Sequence, residues 1–224
     1  MIDIISLFLI VIFVPLIVLV GVKLYKPKDL RKLFIAFSIT LLAIELLRFF
    51  VNASFYENAV VPSQDLKLSF VTFLSVIVFF AVFNKGKIGN IFKNIFVLTS
   101  ICPIIIALFN KNVYFSTLDT YGLIKALYFL ECGVVILLAI MFVLDSKESL
   151  NLLQLGFGCI FALGYVFVNF LANYFWTTNV KFDGLWFAQM AVLVVSVGVV
   201  YLLLYIVKKF CKKSVKEENT ITNE

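Results

Sequence analysis

Apolar runs dominate the chain, each about as long as a helix must be to cross a bilayer. Roughly 20 residues at about 1.5 Å per residue cover the hydrocarbon thickness of about 30 Å. Such blocks fall near Ile4–Val22, Leu33–Phe55, Leu68–Phe83, Asn94–Phe109, Leu123–Leu144, Leu153–Tyr174 and Leu185–Val207. Seven spans with short connections use up the 224 residues and leave no length for a soluble domain. The expected fold is therefore an all-α polytopic membrane protein, a seven-transmembrane-helix bundle over residues 1–207, followed by a basic tail over residues 208–224. The third and fourth blocks are short for spanning and fit a lesser tilt or a partly re-entrant path. Hydrophobic residues make up 63% of the chain and charged ones 14%. Soluble domains average about half and about a quarter, so the cell membrane is the expected location, in multi-pass form.

Lysine and arginine test this count independently, because they gather on the cytoplasmic side of membrane proteins. Lys23, Lys26, Lys28, Arg31 and Lys32 follow the first block; Lys85, Lys87 and Lys93 follow the third, and Lys147 the fifth. Lys208, Lys209, Lys212, Lys213 and Lys216 follow the last. The alternate connections carry only Lys67, Lys111, Lys125 and Lys181. This alternation puts the N-terminus outside and the C-terminus in the cytoplasm. The first block then reads as a retained, reverse-oriented anchor, since no basic leader precedes it. The formal charge of +6 is spent on topology and anionic lipid, not on nucleic acid.

The chain contains no histidine. A His-ligated metal, a Cys-His pair and a Ser-His-Asp triad all fall away with it. Cys102, Cys132, Cys159 and Cys211 have no metal-ligand spacing and read as small packing residues. No cofactor, metal or catalytic residue is expected. Pro15 and Pro103 interrupt apolar blocks and call for local kinks, and Ser100–Pro103 offers a carbonyl to a cavity. Gly158 and Ala162, with Gly164 nearby, mark a face for close helix contact.

The informative residues are the polar ones inside the blocks. Glu45, Arg48, Asn52 and Tyr56 recur at helical spacing on one face of the second block. An ionised pair in a bilayer needs an opposite charge, hydrogen bonds or water, so Glu45 and Arg48 must face protein or a wet cavity. Tyr121, Lys125, Tyr128 and Glu131 form a comparable face on the fifth block, and Tyr165, Asn169 and Asn173 another on the sixth. Ser69 and Thr72 of the third block fall at the same depth. The candidate ligand-binding set is Glu45, Arg48, Asn52, Ser69, Lys125, Tyr128, Glu131, Asn169 and Asn173. Both a ligand site and a sealed ion-pair network are compatible with it.

Glu45 in the second span, the Val61-Pro62-Ser-Gln-Asp-Leu66-Lys-Leu-Ser69 approach to the third, and Asn169-Phe-Leu-Ala-Asn173-Tyr174 together carry a family likeness. Over about residues 33–178 the chain resembles the YwaF-like bacterial integral membrane family, distantly grouped with transmembrane protein 164. The resemblance implies a compact polytopic bundle and, through the animal relatives, a link with acyl transfer on lipids. Family members commonly place Cys or His in the polar core. Here Ser69 stands near the expected cysteine position and histidine is absent, which weakens an enzymatic carry-over.

The preferred functional expectation is binding or transport of a small polar or amphipathic ligand through an outward-side intramembrane site. Glu45 and Glu131 would meet cationic groups or protons, Arg48 and Lys125 anionic groups, and Asn169 and Asn173 would orient the ligand. The alternatives are a lipid acyltransferase-like enzyme and a structural or assembly subunit of a membrane complex. Expected partners are membrane lipids, a small-molecule or lipid ligand and a membrane protein.

Overall fold

The computed structural model describes residues 4–25, 30–55, 69–84, 86–109, 122–145, 151–176 and 184–221. Among these, eight helices form an all-α bundle: α1 (Ile4–Tyr25), α2 (Leu30–Phe55), α3 (Phe70–Phe83), α4 (Lys87–Thr99), α5 (Cys102–Phe109), α6 (Gly122–Asp145), α7 (Leu152–Trp176) and α8 (Gly184–Ile221). Four apolar segments among the described residues are long enough to cross a membrane, at Lys87–Ile106, Ala126–Asp145, Leu152–Leu171 and Trp186–Val207. Val11–Leu24 and Phe70–Phe83 are shorter apolar helices.

Helix α6 is the enclosed centre. It packs against α1, α2 and α4, and Val135, Leu137, Leu138 and Phe142 are fully buried along it. Large apolar side chains lie bare on the periphery instead, among them Phe13 and Ile17 on α1, Ile160 and Phe167 on α7, and Val195, Leu202 and Leu203 on α8. So wide an exposed apolar surface suits lipid and would be an aggregation hazard in water. Helix α2 carries the sharpest contrast: Ile39, Leu42, Leu46, Leu47 and Phe50 are exposed while Glu45 is buried.

The fourth apolar segment differs from its sequence-based boundary. Its helix begins at Lys87, not near Asn94, and is broken at Ser100–Ile101. Lys93 thus belongs to a helix and not to a connection. The break has a local cause: Pro103 supplies no backbone N–H, and Thr99 and Ser100 turn their hydroxyls back onto Ile95 and Val97 carbonyls at 2.7 and 2.8 Å. Helix α1, by contrast, runs through Pro15 without interruption. Helix α8 continues to Ile221, so part of the basic tail is helical.

Gly158 does serve a close contact. A Cβ there would lie 3.1 Å from Val197 Cγ1 and 3.4 Å from Leu98, which fits α7 tightly onto α8 and α4. Around Gly164 nothing lies within 4 Å of such a Cβ, so its smallness serves no contact.

Helix direction follows from which termini meet. One cavity touches Leu30 at the start of α2, Val82 near the end of α3, Gly86 and Asn90 at the start of α4 and Asp145 at the end of α6. Helices α2 and α4 therefore start where α3 and α6 finish. Arg31, Lys32, Lys87 and Lys93 all belong to this basic end.

Candidate functional site

At about 1.5 Å per residue, Glu45 lies about 22 Å along α2 from Leu30, and Glu131 lies about 21 Å along α6 from Asp145. The two antiparallel helices thus bring their carboxyls to one depth, far from the basic end. Helix α3 meets them with its first turn. Ser69 caps it in extended conformation, and its Oγ accepts the Thr72 N–H at 3.2 Å.

Arg48 organises the group. Its Nε donates to Glu45 Oε2 at 2.9 Å, and its Nη2 donates to the same carboxyl and, at 2.9 Å, to Ser69 Oγ. The guanidinium carbon sits 5.5 Å from the centre of the Tyr128 ring, in cation–π range. Glu45 Oε1 accepts from Thr72 Oγ1 and from Ser69 Oγ, the latter at 3.3 Å. The Glu45 carboxyl is therefore well supplied with donors.

Glu131 is not. Its side chain is 0% exposed, and neither carboxyl oxygen accepts a hydrogen bond from the described residues. Arg48 Nε comes within 3.2 Å of Glu131 Oε2, near enough for strong attraction, but its N–H is directed to Glu45. Among the described residues, two carboxylates thus face one guanidinium. An excess negative charge in an apolar interior has to be met by a proton or a bound cation.

Tyr128 secures the floor. Its hydroxyl donates to the Pro103 carbonyl at 2.9 Å, which joins α6 to the start of α5 just beyond the helix break. The carbonyl offered by the Ser100–Pro103 stretch is thus taken by a side chain. Tyr128→Phe keeps the ring under Arg48 and loses this bond. It is expected to lower stability by about 1 kcal/mol, a modest fall in the melting midpoint of the purified protein.

Among the sequence-based candidates, Glu45, Arg48, Ser69, Tyr128 and Glu131 come together, and Thr72 joins them. Asn169 donates its amide to the Tyr165 carbonyl in its own helix at 3.2 Å. Tyr165 packs edge-on against Phe70 and Phe73 of α3, with ring centres 4.6 and 5.4 Å apart. The cluster is built by α2, α3 and α6, and the α7 face meets α3 through aromatic packing. The side chains of Asn52, Lys125 and Asn173, and the whole of Tyr56 and Tyr121, lie outside the described residues.

Cys132, beside Glu131, is fully buried, and Cys102, Cys132 and Cys159 are free thiols. Among the described residues no three His, Cys, Asp or Glu side chains gather as metal ligands. Ser69 holds its hydroxyl between Arg48, Thr72 and Glu45. Comparison of the chain with family models, with curated proteins and with solved structures yields no match.

The Lys93–Asp145 pair and the cavity at the basic end have no counterpart in the sequence reading. Lys93 Nζ lies 3.2 Å from Asp145 Oδ2 and about equally far from the Phe34 and Phe142 rings, at 5.6 and 5.5 Å. Lys93 read only as a topology charge, and the pairing joins residues 52 positions apart, so no local pattern announces it.

Proposed function

We propose that this multi-pass membrane protein binds or transports a small polar or amphipathic ligand at the Glu45–Arg48–Glu131 site, with a cationic group of the ligand or a proton at Glu131. The observation that carries the reading is the buried Glu131 carboxyl, whose oxygens accept no hydrogen bond among the described residues. A purely structural ion-pair network is normally saturated, because a half-satisfied one is costlier than apolar packing. Proton and ligand cation would compete for the same charge, which is the elementary requirement for coupling one to the other.

In this proposal the chain crosses the membrane seven times, with the N-terminus outside, the C-terminus in the cytoplasm, and α4 and α5 sharing the fourth crossing. The basic end of the bundle supports that orientation. Ligand entry is from the outer side. Leu41, Leu74, Val78, Val135 and Leu138 are fully buried between the carboxyl site and the basic end, and this apolar layer disfavours passage of charge toward the cytoplasm in the present conformation.

Tetraphenylphosphonium, a lipophilic cation, is a suitable probe. The wild-type protein in detergent is expected to bind it saturably, and Glu131→Gln to weaken binding about tenfold, the worth of a lost charged contact of about 1.5 kcal/mol. The same variant is expected to melt at or above the wild-type temperature, since it removes the excess charge. Equal binding by both proteins, together with a lower melting temperature for Glu131→Gln, would identify a structural ion pair and overturn the proposal.

A further inference from the structure

The basic end of the bundle holds a cavity of about 330 Å³. We propose that it is a second binding site, separate from the carboxyl cluster, for the phosphate group of an anionic phospholipid. Three features of the walls point to this chemistry.

First, among the described residues two cations line the cavity, Arg31 and Lys93, against one carboxylate, Asp145. The balance favours an anion. Lys93 is also held in place: its ammonium lies on Asp145 and over the Phe34 and Phe142 rings, whose own centres are 4.9 Å apart. A charge fixed by aromatic packing loses little further freedom when a ligand arrives. Second, Gly86 lines the cavity and caps α4 with no side-chain hydrogen bond to the first turn. The partial positive charge of a 13-residue helix is thus presented beside the two cations. Third, apolar walls from Leu30, Phe34 and Ala81 complete the site, and Phe83, Ile88 and Leu144 stand exposed at the same end of the bundle. Polar groups within and bare apolar side chains around them match a headgroup attached to acyl chains better than a fully hydrated ion.

Purified, delipidated full-length protein can be titrated with dioleoylphosphatidylglycerol and with dioleoylphosphatidylcholine and the bound lipid counted by native mass spectrometry. The anionic lipid is expected to bind saturably and about tenfold more tightly. Arg31→Gln is expected to weaken it about tenfold, as loss of one charge-assisted contact of about 1.5 kcal/mol. Asp145→Asn is expected to strengthen it, because the opposing carboxylate is removed. A damaged fold cannot produce that gain, so the two variants separate lost structure from lost recognition. Millimolar inorganic phosphate serves as the second arm. If it displaces the lipid only weakly, the lipid is the occupant. If it binds tightly by itself with the same dependence on Arg31 and Asp145, phosphate recognition stands and the source is soluble. Equal binding of both lipids with no effect of Arg31→Gln, or weaker anionic-lipid binding in Asp145→Asn, overturns the proposal.

Discussion

Replacement of Arg48 by leucine is expected to cost about 3–5 kcal/mol of stability, the range for a buried pair that loses one partner. Against a total of about 5–15 kcal/mol for a folded domain, the loss is large enough to lower recovery of monodisperse protein after extraction. The reason lies in what stays behind. Glu45 is 9% exposed and Glu131 0%, and without the guanidinium their charges face each other in an apolar interior. Leucine fills much of the vacated space, so cavity formation is the lesser effect and desolvated charge the greater. The triple variant Arg48→Leu with Glu45→Gln and Glu131→Gln removes the charges together and is expected to recover most of the lost melting temperature. Fluorescence-monitored unfolding of the wild type, the single variant and the triple variant measures this. A single Arg48→Leu variant that melts with the wild type would mean that the carboxyls find other compensation and that the arginine does not organise the cluster.

The sequence anticipates much of this cluster because two simple rules act on it. Residues three apart share a helix face, which joins Glu45 to Arg48; antiparallel spans of similar length bring Glu131 and Ser69 to the same depth. Neither rule says which faces meet. On α7, Tyr165 meets α3 through aromatic packing against Phe70 and Phe73, a contact that spacing alone does not announce. Pro103 predicts a kink and the helix is interrupted just before it, at Ser100–Ile101, whereas Pro15 carries the same signal and α1 passes through it. Hydropathy also placed the fourth helix too late, because it counts Lys93 as a loop residue. In the fold, the lysine reaches Asp145 with its charge while lying over two rings, so its location in a helix costs little.

Helices α2, α3 and α6 carry both polar regions. Each contributes to the carboxyl cluster at one end and lines the cavity at the other, with the fully buried Leu41, Leu74, Val78, Val135 and Leu138 between. The turn between α3 and α4 fixes the basic end of that assembly.

That turn supplies the other large expected effect, through Gly89. An alanine Cβ at this position would lie 2.2 Å from the Asn84 carbonyl oxygen and 3.0 Å from its carbon, well inside contact distance and against backbone. Asn84 is itself tied to α3: its N–H donates to the Phe80 carbonyl at 3.1 Å and its side-chain amide to the same oxygen at 2.9 Å. Gly86 adds a constraint, since its φ of +73° suits glycine and strains other residues. Alanine brings about 1 kcal/mol of helix propensity to Gly89, but overpacking against a backbone that cannot retreat costs about 3 kcal/mol. Gly89→Ala is accordingly expected to lose about 2 kcal/mol net. Gly158→Ala, whose new methyl meets side chains that can give way, should be near neutral, and Gly164→Ala, with open space around it, should gain a few tenths to about 1 kcal/mol. Melting temperatures of the three alanine variants are expected in the order 164, 158, 89 from highest to lowest. Only Gly89→Ala should also weaken anionic-lipid binding, because the carbonyl it displaces belongs to Asn84 in the cavity wall. A Gly89→Ala protein that melts with the wild type and binds lipid unchanged would show that the turn yields freely and does not hold the basic end in place.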